Sequence, residues 1–186
     1  MAKVDSWERI SSKQVADCRV FRVRRDYCKR NGNGDTSDFF VIDSPDWVNI
    51  IALTKSGEVV MIEQFRQGTC EMNLELPGGI IDEGEAPEAA ARRELLEETG
   101  YSSSDWVLLG ASRPNPALQS NTMHHFLARD CEKTAEIALD PHESIATRLV
   151  SEDEAEYLIG DGKVTHSLVV AAFLYLRLFE RARASA

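Results

Sequence analysis

The chain of 186 residues suits one domain with a small appendage at most, and it is long enough to enclose a sizeable core. Its 31 acidic and 21 basic residues leave a formal net charge of −10, a field that repels polynucleotides and anionic membranes and so excludes a general nucleic-acid or membrane-surface binder. The same field repels phosphate-rich small molecules, so a site for one needs bound cations or local arginines to reverse it.

Residues 19–25 alternate apolar and basic side chains, the period of a half-exposed strand. Asn31, Gly32, Asn33, Gly34 and Asp35 form a strong turn signal, and a second strand over 38–42 makes the pair a hairpin. An apolar run over 47–54 suits a buried strand, and Lys55-Ser56-Gly57 turns the chain into another over 58–65. Pro77-Gly78-Gly79 interrupts the strand pattern. Pro87 suits the first turn of a helix, where its missing N–H costs nothing. Residues 88–99 are rich in Ala, Arg, Glu and Leu, and Gly100 stands where a left-handed cap belongs. Strands resume over 106–111 and 122–128, with a proline-marked loop at Pro114 and Pro116 between them. A strand over 146–150, a short helix over 152–159, a Gly160-Asp161-Gly162 turn and a long helix from Ser167 close the chain. Strands on both sides of a central helix, without regular alternation, predict an α+β fold.

Cys18, Cys28, Cys70 and Cys131 lack CxxC spacing or a histidine at ligand distance. They read as reduced, mostly buried thiols of a cytoplasmic protein, not as a zinc site. The first residues lack the apolar segment of a signal peptide, and the longest apolar stretch, 168–176, is far short of a membrane span.

The chemistry points to the central helix. Residues three and four apart share a helix face, so Glu94, Glu97 and Glu98 project close together. Their mutual repulsion suits a divalent cation with oxygen ligands, the preference of Mg²⁺ and Mn²⁺. Arg93, four residues before Glu97, can pair with a carboxylate and hold it in place. A glutamate-rich helix alone reads first as an exposed, salt-bridged face; its flanks decide otherwise.

Gly79, Glu85, Arg93, Glu94, Leu95, Glu97, Glu98, Gly100 and Tyr101 fill every fixed place of the pattern Gly-x5-Glu-x7-Arg-Glu-apolar-x-Glu-Glu-x-Gly-apolar. On these residues the chain resembles the Nudix hydrolase family; chance would produce such a match in roughly one in ten million chains of this size. Glu63-Gln64-Phe65-Arg66 and Glu75-Leu76-Pro77-Gly78-Gly79 extend the likeness to the ADP-ribose pyrophosphatase-like and nucleoside diphosphate sugar hydrolase branch.

The resemblance implies a mixed β-sheet sandwiched between helices, with an N-terminal antiparallel strand extension over 1–44 that can serve in dimerisation and a hydrolase domain over 45–186. It implies Glu94, Glu97, Glu98 and the Gly78 carbonyl as metal ligands, with Glu97 a ligand or a base and Arg93 orienting the glutamates. Glu85 supports this cluster. Glu143, in the acidic loop over 140–145, is the candidate general base, and His142 reads as a bystander. Arg66 is a candidate phosphate clamp, with Glu75 beside it in the substrate-binding set. Arg22, Arg24 and Arg25 give the N-terminal strand a basic edge. Phe21, Tyr27, Phe39 and Trp47 could stack on a base but read first as core.

The activity implied is Mg²⁺-dependent hydrolysis, with Mn²⁺ as substitute, of a nucleoside diphosphate sugar such as ADP-ribose to a nucleoside monophosphate and a sugar phosphate, by a cytoplasmic homodimer. The loop over 112–121 has the proline of ADP-ribose-specific members without the glycine that follows it, which implies a broader range of nucleotide sugars. Dinucleoside polyphosphates or NADH are the alternative substrates. A non-catalytic nucleotide-sugar sensor is a third reading, against which stand the complete set of box acids and the lack of a helix-turn-helix segment.

Overall fold

The computed structural model describes residues 4–139 and 141–185 and divides into two compact units. The first takes the described residues up to Pro45 together with Arg113–Asn121, and the second takes Asp46–Ser112 and the described residues from Thr122 on.

In the first unit, β1 (Trp7–Asp17), β2 (Arg22–Arg30) and β3 (Thr36–Asp43) form an antiparallel sheet in that order. The hairpin expected across residues 31–35 joins β2 and β3, closed by Arg30 N–H donating to Asp35 O at 2.7 Å. The strand expected from Arg19 starts only at Arg22. Arg19 adopts a left-handed φ of 68°, and Cys18 N–H donates to Phe21 O at 2.9 Å, so this stretch is the turn between β1 and β2. Sequence patterning missed β1 because its side chains are exposed almost throughout and its apolar residues do not alternate. The proline-marked loop lies along β3, with Ile42 N–H donating to Leu118 O at 2.7 Å.

The second unit holds an eight-stranded mixed sheet built from β4 (Trp47–Thr54), β5 (Glu58–Arg66), β6 (Glu71–Glu75), β7 (Gly78–Ile80), β8 (Tyr101–Ser102), β9 (Asp105–Ser112), β10 (Met123–Lys133) and β11 (Ile145–Ser151). Its backbone order is β11-β5-β4-β10-β8, with β6 on β5, β7 on β4 and β9 on β10. β4 and β10 pair in parallel and the other pairs are antiparallel. Residues 78–79 do not break the sheet as expected: they belong to β7, with Gly78 opposite Asn49 of β4.

Helices cover both faces. α1 (Pro87–Thr99) packs Ala90, Ala91 and Leu95 against Val48, Ile50 and Ala52. α3 (Ser167–Ala184) packs Val169, Ala172, Phe173 and Leu176 against Ile51, Val59 and Met61 of the opposite face, and α2 (Glu152–Gly160) adds Ala155 there. Alternate residues of β4 thus enter two separate cores, which is why its sequence is mostly apolar on both faces, with Asn49 an exception. Small Ala90 and Ala91 let α1 approach the sheet closely, and fully buried Leu95 contributes about 2 kcal/mol of transfer energy. Gly100 caps α1 with a φ of 74° and its N–H donates to Leu96 O at 2.9 Å. Among the described residues, no helix is long and apolar enough to cross a membrane. Cys28 and Cys131 are buried, whereas Cys18 and Cys70 are exposed, so only half of the thiols are shielded.

Candidate active site

The Gly78–Gly79 strand brings α1 to the edge of a cleft. A Cβ on Gly78 would overlap the Val48 carbonyl oxygen, and one on Gly79 would overlap the Glu94 carboxylate. Glycine lets the backbone lie directly against β4 at position 78 and against the Glu94 carboxylate at position 79. Glu98 is buried in the same place, its Oε2 accepting the Gly78 N–H at 2.8 Å.

Arg93 organises the acids around it. Its Nε and Nη2 donate to the two oxygens of Glu85 at 3.1 and 3.0 Å, Nη2 also donates to Ile80 O at 3.0 Å, and Nη1 donates to Glu94 Oε1 at 2.8 Å and Glu97 Oε2 at 3.1 Å. Glu85 in turn accepts from Asp82 N–H at 3.1 Å and so pins the turn before α1. The Arg93 guanidinium holds the Glu85 carboxyl below the usual carboxylate range.

Glu94 and Glu98 behave in the opposite way. Burial raises the Glu94 pKa, and the charges of Glu97 and Glu143 add to the rise. Burial likewise pushes Glu98 up to about 8, helped by Glu94 and Glu143. Glu143 itself is exposed, and its charge reaches Glu94, Glu98 and Arg66. Asp140, in the same loop, lies outside the described residues. Glu97 is partly exposed at the outer side of the group.

Among the described residues, no three acidic, histidine or cysteine side chains converge as a ready-made cation cage, because Arg93 engages Glu94 and Glu97 while Gly78 engages Glu98. The donor set nevertheless fits a hard divalent cation. It is entirely oxygen, it is crowded at helical spacings of three and four, and its buried members carry mutual repulsion that a cation would relieve.

Beside this group lies a cavity of about 630 Å³ whose wall includes Gly78, Gly79, Arg66, Glu75, Trp47 and His166. Arg66 donates from Nε to Glu75 Oε1 and from Nη2 to Glu75 Oε2, both at 2.8 Å. His166 Nδ1 lies 3.0 Å from Glu75 Oε2 without a satisfied hydrogen bond. Burial alone would raise the Glu75 pKa, but Arg66 and His166 outweigh it and hold the carboxyl at about 2.

Of the residues singled out for chemistry, Arg66, Glu75 and Gly78 line the cleft itself, Arg93 joins Glu94 and Glu97, and Glu98 meets the Gly78 N–H; Glu75 sits behind Arg66 and is only 2% exposed. Sequence reading missed His166 and the wall position of Trp47. His166 is 91 positions from Glu75, and no local pattern relates them. The N-terminal basic edge is neutralised within its own sheet: Arg24 pairs with Asp26 and Asp43, and Arg25 with Asp38.

A family model of the NUDIX domain matches residues 44–173. The chain belongs to the Nudix hydrolase family. Nudix hydrolases act on pyrophosphate bonds and generally depend on divalent metal, in keeping with the oxygen-only group on α1. The methanol dehydrogenase activator of Bacillus methanolicus is 31% identical over 181 residues, 97% of each chain. The ADP-ribose pyrophosphatase of Bacillus subtilis (strain 168) is 31% identical over 153 residues, 82% of this chain and 83% of that one. A crystal structure of an ADP compounds hydrolase shares the Nudix fold with a TM-score of 0.85 over 100% of both chains, at 22% identity.

Proposed function

We propose that this Nudix hydrolase cleaves the diphosphate of a nucleoside diphosphate sugar, ADP-ribose or a close relative, to a nucleoside monophosphate and a sugar phosphate, with Mg²⁺ as cofactor and Mn²⁺ as substitute. The observation that carries the reading is the junction of the buried Glu94–Glu98 pair with the cleft wall that holds Arg66. The ADP-ribose pyrophosphatase of Bacillus subtilis, matched over most of both chains, supports the choice of substrate.

Glu94, Glu97, Glu98 and the Gly78 carbonyl would hold the cations. Divalent ions bound there would supply charge neutralisation for the diphosphate and a more acidic water for attack. Arg93, anchored on Glu85, keeps the three α1 glutamates oriented. Glu143 takes the proton from the attacking water as general base. Arg66, held rigid by Glu75, offers its guanidinium to a phosphate oxygen.

We further infer a cytoplasmic homodimer with the N-terminal strands, residues 1–44, as the assembly element. Ile10, Val15 and Phe40 support this, since they leave apolar surface exposed on that unit. A hydrolysis screen over ADP-ribose, nucleoside diphosphate sugars of each base, NADH and dinucleoside polyphosphates, run with Mg²⁺ and with Mn²⁺, tests the substrate. Release of AMP from ADP-ribose is expected. Turnover confined to dinucleoside polyphosphates or NADH would move the enzyme to another substrate class, and binding without turnover would make it a sensor.

A further inference from the structure

Behind the cleft, a chain of buried polar groups ties the sheet to the start of α3. Asn49 Nδ2 donates to Leu168 O at 3.0 Å, so its Oδ1 is free to accept from His125 Nδ1 at 2.8 Å. With that proton on Nδ1, His125 Nε2 accepts from Ser112 Oγ at 2.8 Å. The imidazole is fully buried, and burial holds its pKa down at about 4, so it remains neutral and keeps this donor order. Tyr175 of α3 stacks on it with ring centroids 5.1 Å apart and donates to Ala111 O at 2.8 Å. A Cβ on Gly110 would overlap the Tyr175 ring, so glycine is what lets α3 settle there.

This anchoring fixes the first turn of α3, and His166 is the residue that leads into it. Its ring lines the cleft. Nδ1 is turned to Glu75, which leaves Nε2 for a ligand. Arg66 and His166 both approach Glu75 and both line the cleft, so a group joined to a phosphate on Arg66 has His166 as a neighbouring side chain. We propose that His166 is a specificity-determining contact that hydrogen-bonds a hydroxyl of the substrate's sugar, with Glu75, Asn49 and His125 as its positioning residues. The proposal rests on the reading of this cleft as the site of a nucleoside diphosphate sugar.

The test compares the parent with His166→Ala and His166→Gln by steady-state kinetics on ADP-ribose, and by calorimetric titration of the metal-free proteins with ADP-ribose. One lost hydrogen bond corresponds to an effect of about two- to tenfold. His166→Ala is expected to raise KM and Kd by that factor with kcat nearly unchanged, and His166→Gln to recover most of the loss. Asn49→Leu should raise KM in the parent yet add little on top of His166→Ala, whereas an unrelated packing defect would add in full. Unchanged KM and Kd in His166→Ala would overturn the proposal, as would a loss confined to kcat. If the parent binds ADP-ribose without hydrolysing it in Mg²⁺ or Mn²⁺, the pyrophosphohydrolase reading fails while the titration still decides His166. A parent that neither binds nor hydrolyses ADP-ribose overturns both.

Discussion

Replacing Glu75 by Gln keeps the side-chain volume and removes one charge, which makes it a direct probe of the Arg66–Glu75–His166 cluster. The folded carboxyl sits at about 2 against an ordinary value of 4.5, and at 1.36 kcal/mol per unit that difference corresponds to about 3 kcal/mol. Breaking a buried ion pair by removing one partner costs a similar amount, about 3–5 kcal/mol; the lower end applies because the Arg66 side chain is 45% exposed and water can take over part of its solvation. The sign follows from linkage. A carboxyl whose pKa is depressed on folding contributes its full stability above the unfolded value, and that contribution fades as pH falls toward the folded one. Glu75→Gln should therefore unfold in urea with a loss of about 3 kcal/mol at pH 7, shrinking to a little over half of that near about pH 3.5. The KM for the nucleotide substrate should rise in the same variant, because Arg66 loses its bidentate anchor. A loss below about 1 kcal/mol at pH 7, or one equal at both pH values, would refute the account of this cluster.

Glu98→Gln should lower kcat on the order of a hundredfold or more while the far-ultraviolet spectrum stays that of the parent, as the proposed role of Glu98 in holding the metal requires. Chelation should abolish turnover and added Mg²⁺ restore it, as read by nucleoside monophosphate release. Gly78→Ala forces a methyl group against the Val48 carbonyl and should cost roughly 2–3 kcal/mol in denaturant unfolding, with activity falling as β7 is displaced. Leu95→Ala leaves a cavity under α1 and should cost about 3 kcal/mol, again by urea denaturation.

Much of this protein was legible along the chain because the relevant interactions are local. The α1 boundaries rest on Pro87 and Gly100, whose backbone preferences act within one turn. The grouping of Glu94, Glu97 and Glu98 follows from helical pitch alone, and Arg93 reaches Glu97 within the same helix. The mostly apolar run of β4 announced a buried strand.

What tertiary structure alone decided lies between residues far apart in sequence. β1 has no apolar alternation to betray it and is defined by pairing with β2. The strand at Gly78–Ile80 exists because β4 supplies its partner, although glycines in isolation read as a break. Glu75 joins Arg66 to His166, and Asn49 joins Leu168 to His125, across separations that no spacing rule covers. Electrostatics divide in the same way: the acids of α1 are visible as letters, but burial is what raises Glu94 and Glu98. Pitch and turn chemistry act over a few residues and can be read in order, whereas burial and the pairing of distant charges arise only once the chain has closed on itself.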